Sequence, residues 1–185
     1  MSTDYFHAMA VNNACANERL LRACMTLDQA DFEAPRSGFF PSIKLTLNHI
    51  LTVDWFYVDA LTDGGLGRSV FEPEVPCATA AELTQQQLAT DRRLLAYCEQ
   101  LRPADLMATA ELARPRGVML RERVDRMLAH LFAHQIHHRG QVHAMLSATH
   151  CEPPQLDEFL LASDAPLRVA ELDALQLREE QIWRE

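Results

Sequence analysis

An all-α fold, a four-helix bundle followed by short C-terminal helices, is what this sequence predicts. Three observations carry the prediction. Leu, Ala, Glu, Gln and Arg dominate, while β-branched runs are scarce. Apolar residues recur at three- and four-residue spacings over four long stretches. Pro35, Pro41, Pro73, Pro76, Pro103, Pro115, Pro153 and Pro154 fall between or after those stretches.

The first helix is expected from Tyr5 to about Leu27, with Met9, Leu20, Leu21 and Cys24 on its apolar side. Pro35, Gly38 and Pro41 then interrupt the pattern. Ser42 is placed to cap a second helix that carries Ile43, Leu47, Ile50, Leu51 and Phe56 and stops near Leu61 at TDGGLG. Residues 64–78 read as a loop. Thr79 precedes Glu82 by three positions, a capping-box spacing for a third helix with Leu83, Leu88, Leu94, Leu95 and Cys98. Leu101 to Gly117 reads as irregular. The longest helix is expected from about Arg121 to Ser147, on Val124, Leu128, Leu131 and Phe132. Gln155–Leu161 and Leu167–Trp183 read as two shorter helices. The long connections leave the up-down order of the bundle open. No internal repeat or linker divides residues 1–185, so one domain is expected.

Composition narrows the function. Hydrophobic residues make up 48% and charged residues 23%, values of a chain that builds a packed core. Seventeen basic against twenty-six acidic side chains give a net charge of −9. Such a chain gains no counterion-release affinity for nucleic acid and is repelled by an anionic membrane surface. No apolar run spans a bilayer, and MSTDYFHAMA lacks the basic flank of a signal peptide. A cytoplasmic protein is expected. The five cysteines are scattered and show no CxxC spacing, which points to reduced, packed thiols.

Histidine is the informative residue. Six of eight lie between His130 and His150. His134 and His138 are four apart, so on a helix their imidazoles share a face and can converge on one ion. A third ligand must come from a neighbouring helix, where only His7 and His49 are available. His49 lies mid-way along the second helix between Leu45 and Val53, on a stripe where bundles build sites between helices. His7, near the N-terminus, is the weaker choice. His49 equally suits a hydrogen-bonded core histidine. His130 continues the His134 face and reads as a supporting or spare ligand. His137 points to a different side, and His143 and His150 read as surface residues.

The run HQIHHRGQ, with His134 and then His138-Arg139-Gly140-Gln141, resembles the signature of the DinB family of metal-dependent proteins, related to the YfiT-like hydrolases. NERLLRAC, FFPSIKLTLNHILTVDWFYVDAL and PPQLDEFLLA fit the same family, so the resemblance runs from about Asn13 to Ala162. It implies a four-helix bundle, usually a homodimer, with nickel or zinc held by His49, His134 and His138. It also implies, in distant relatives, low-molecular-weight thiols such as mycothiol or bacillithiol as co-substrates.

Three neutral imidazoles leave a divalent ion its full charge and an open position, unlike a closed four-ligand structural site. A metal-bound hydroxide would support hydrolysis. A metal-bound thiolate would support S-transfer or isomerisation of a small molecule. Gln135 replaces the Glu of an HExxH motif, which argues against a metalloprotease. Asp54, five residues after His49, is off its face and is expected to pair elsewhere. Gln141 reads as orienting a ligand or as a helix–helix hydrogen bond, and Arg139 as pairing with a carboxylate on another helix. Trp55, Phe56 and Tyr57 read as core or as the wall of a pocket. The competing readings are a non-catalytic, stress-related bundle protein whose ion stabilises the fold, and histidines that take up metal only adventitiously.

Overall fold

A computed structural model describes residues 2–183. Four long helices form the body: α1 (Thr3–Cys24), α3 (Ile43–Leu61), α4 (Ala80–Gln100) and α5 (Val124–Leu146), with a short α2 (Gln29–Glu33) and α6 (Val169–Leu175). Their starts follow local chemistry. The Ser2, Ser42 and Thr79 hydroxyls accept from the backbone N–H of Tyr5, Leu45 and Glu82, and Glu82 completes the capping box. No helix among the described residues is long and apolar enough to cross a membrane.

The helix order in space explains the long connections. α1 packs on α4 and α5, and α3 packs on the same two helices, so α1 and α3 lie on one diagonal of the bundle and α4 and α5 on the other. Residues 25–42 and 101–123 must each cross the end of the bundle, as in bundles with long crossovers. The second crossover corrects the expectation of an irregular segment. Thr109–Ala113 (β1) and Met119–Arg123 (β2) form an antiparallel hairpin, with Thr109 opposite Arg123 and Ala113 opposite Met119. Leu112 is its buried anchor. The turn puts Arg116 and Gly117 at φ of 64° and 73°, and Gly117 adopts that region without a Cβ penalty.

The C-terminal expectation also needs correction. No helix spans Gln155–Leu161; among the described residues only α6 and short 3-10 turns follow, at Ala162–Leu167 and Glu179–Gln181. Guanidinium groups take the carbonyls a helix would have used. Arg19 donates to the carbonyls of Gln155 and Leu167, and Arg168, 1% exposed, donates to those of Glu158 and Leu161. Both arginines also pair with carboxylates, Arg19 with Glu158 and Glu171 and Arg168 with Glu179. Phe159, Leu172, Leu175 and Ile182 thereby cover the small-residue side of α1, at Ala8, Val11, Ala14 and Cys15. The five cysteines are free thiols, and four of them are buried.

A buried polar network ties the four long helices together. Asn13 and Asn17 of α1, Asp54 of α3, Gln87 and Asp91 of α4, and Gln135 and Arg139 of α5 are all at most 4% exposed. The Asn13, Asn17 and Gln87 amides donate to Asp91, and Gln87 and Gln135 donate to Asp54. Arg139 donates to the side-chain oxygens of Asn13, Asn17 and Gln135. The expected ion pair between Arg139 and a carboxylate is therefore replaced by an amide relay, with Asp54 and Asp91 acting on the guanidinium electrostatically. Asp54 pairs with these amides rather than in a salt bridge.

Candidate metal centre

The capped start of α3 sets the register that turns His49 toward α5, and the network at Gln135 and Arg139 fixes the rotation of α5 beside it. The result brings the three histidines together. The Nε2 atoms of His49 and His134 lie 3.0 Å apart, and one ligating atom from each of His49, His134 and His138 falls within 4.8 Å of the others. Two nitrogens on one tetrahedral ion at ordinary zinc–nitrogen lengths sit about 3.3 Å apart. The His49–His134 pair lies near that spacing, and His138 offers the third nitrogen within 4.8 Å of both.

Protonation favours ligation. Burial lowers the pKa of His49 to about 4, helped by His138, and that of His134 to about 3, helped by its histidine neighbours. Burial also lowers His138, against the opposing hydrogen bond to Gln141. All three are neutral at pH 7, with a lone pair to offer. The donor set therefore fits a divalent cation.

The surroundings orient two of the rings. His138 Nδ1–H donates to Gln141 Oε1 at 2.7 Å, which leaves the lone pair on Nε2. The Gln141 amide in turn donates to His137 Nε2 at 3.2 Å. Gln141 is thus an orienting residue for His138 rather than a helix–helix link, and His137 supports Gln141 without joining the triad. Phe40 stacks on His49 with ring centroids 4.2 Å apart. His134 is the exception: its Nδ1 is buried with no hydrogen-bond partner among the described residues, so its only ring contact of that kind is the Nε2 contact to His49.

The other sequence candidates fall outside the cluster. His130 is exposed and lies one turn from His134, with ring centroids 6.2 Å apart. His7 is buried within an ordered helix, not at a frayed end, and is no part of the triad. His150 is exposed beside Asp31, and His143 is half-buried on another face of α5. Trp55 donates to the Thr90 hydroxyl and belongs to the core, whereas Phe56 and Tyr57 line a cleft at His134.

A family model described as "DinB family" matches residues 1–171. The chain belongs to the DinB family. The match exceeds the 13–162 range of the recognisable motifs and takes in all of α1 and the first turn of α6. No curated protein matches the chain. In this DinB-family chain sequence reasoning passed over Phe40, Arg68, Phe71 and Arg114. Phe40 was legible as an aromatic just ahead of the Ser42 cap. Arg68 and Phe71 reach the site on the α3–α4 loop and Arg114 on the 101–123 crossover, positions that no local spacing marks.

Two clefts flank the triad. One, of about 370 Å³, lies at His49 with Phe40, Thr52, Arg68, Phe71 and Glu74. The other, of about 230 Å³, lies at His134. Arg68 and Phe71 border both. They ride on a 3-10 turn, Gly67–Phe71, anchored where Asp59 Oδ2 accepts from the N–H groups of Leu66 and Gly67. A Cβ at Gly64 would collide with the same carboxylate, so the chain passes Asp59 only as glycine.

Proposed function

We propose that this protein binds one divalent ion, nickel or zinc, through His49, His134 and His138, and uses it to transform a small molecule by hydrolysis or by thiol-dependent S-transfer or isomerisation. One observation carries the reading: three neutral imidazoles from two helices converge beside two clefts. A divalent ion held by three neutral ligands supplies Lewis acidity and lowers the pKa of a coordinated water or thiol.

The chain's own residues do the rest. Gln141 holds the His138 ring with its lone pair toward the cluster. Phe40 stacks on His49 and steadies its ring. The cluster contains no carboxylate, so the ion keeps its charge. His130 forms part of the wall of the His134-side cleft. Family resemblance further supports a homodimer, which sedimentation equilibrium tests.

Metal content of tag-free protein, beside His49→Ala and His138→Ala, tests the site. About one ion per chain in the parent, lost in both variants, is the expected outcome. A parent that stays metal-free after incubation with zinc or nickel would overturn the site and the enzymatic reading with it. A loaded protein inert toward every substrate class, with and without thiols, would favour the non-catalytic bundle.

A further inference from the structure

The two clefts at the triad differ in charge. Glu74 borders the His49-side cleft. The His134-side cleft is bordered by Tyr57, Arg68, Phe71, Arg114, His130 and His134, and no carboxylate lines it. In a chain of net charge −9, two guanidinium groups in a cleft without a carboxylate are a local exception. The two arginines arrive from independent elements, Arg68 on the 3-10 turn after α3 and Arg114 at the end of β1. Neither forms an ion pair among the described residues, although most other arginines do. Arg68 instead lies over the Phe71 ring, 5.6 Å from its centroid, and Arg114 lies beside the Tyr57 hydroxyl. A ring face at Arg68 and a phenol hydroxyl at Arg114 hold the two guanidinium groups at the cleft without neutralising them.

We propose that the His134-side cleft binds the anionic group of the substrate, a carboxylate or phosphate held by Arg68 and Arg114, so that an adjoining donor atom faces the histidines. The inference rests on the metal-site reading and assigns its substrate class: a small organic anion. Guanidinium forks suit both oxyanions, and a cleft of about 230 Å³ admits a small headgroup rather than a polymer. Phe56, Phe71 and Tyr57 offer apolar contact to whatever the anionic group carries.

Isothermal titration calorimetry with acetate, malonate and inorganic phosphate, on metal-free and zinc-loaded protein, tests this. The parent is expected to bind at least one probe, and the three probes separate a carboxylate from a phosphate preference. Arg68→Gln and Arg114→Gln should each weaken binding by about tenfold or more in both metal states, with zinc content and circular dichroism unchanged. Probe binding that is equal in parent and variants, or that needs zinc and ignores the arginines, overturns the inference and leaves the metal site standing. Arginine-dependent binding by a protein that takes up no zinc overturns the metal site and leaves the anion cleft standing. No binding of any probe overturns the inference.

Discussion

At the scale of single residues, the triad is a set of ligands whose protons have already been removed by burial. His49 and His134 charge only as pH falls toward about 4 and 3, so protons compete weakly for their lone pairs above that range. A site of ordinary imidazoles loses metal as pH drops through about 6.5. The expected outcome is nearly equal metal content at pH 7.5 and 5.5 after equilibrium dialysis. Release by half at pH 5.5 would contradict the burial argument. Gln141 is the residue most able to modulate this. Its carbonyl oxygen fixes the His138 tautomer, so Gln141→Leu should weaken metal binding about 10- to 100-fold while the helices stay intact, as read by competition with a chromogenic chelator.

At the scale of elements, the metal centre lies between α3 and α5, and their relative rotation is set by the buried polar network. Arg139 is its cationic centre, 4% exposed, against two carboxylates that reach it through amides. Arg139→Met should therefore cost about 3–5 kcal/mol in urea unfolding, because Asp54 and Asp91 lose their counter-charge. Adding Asp54→Asn to Arg139→Met should recover part of that loss, whereas independent sites would give simple addition. The four long helices, the caps at Ser42 and Thr79 and the pairing of His134 with His138 were legible because each depends on local spacing, whereas His49, 85 residues from His134, was reached through the family resemblance. The hairpin at 109–123 was not. Its strands carry one buried residue that matters, Leu112, and the exposed run Met119–Leu120–Arg121 gives no two-residue alternation to read. The C-terminal stretch failed for a different reason: Arg19 and Arg168 satisfy its carbonyls from far along the chain.

At the scale of the whole molecule, two sets of buried groups set opposite pH dependences. Burial pushes Asp54 and Asp91 from an ordinary 3.8 up to about 7, and the single charge of Arg139 offsets this only in part. Between those values the folded state binds more protons than the unfolded chain, so these groups remove stability as pH rises from about 4 to 7. The histidines do the reverse. His49 and His134 have folded values of about 4 and 3 against 6.5, so the unfolded chain binds more protons, and stability rises with pH through that interval. From these four groups the metal-free protein should show a nearly flat profile between pH 4.5 and 6.5. Removing one set exposes the other. In chelator-treated protein, the melting temperature of Asp54→Asn should climb with pH across this window relative to the parent, and that of His134→Ala should fall. Two variants that keep the parental slope would mean that neither set is perturbed as its burial requires. Opposite tilts would show that the buried acidic network and the uncharged histidine site, interleaved along α5 at Gln135 and Arg139 and at His134 and His138, balance their titrations against each other.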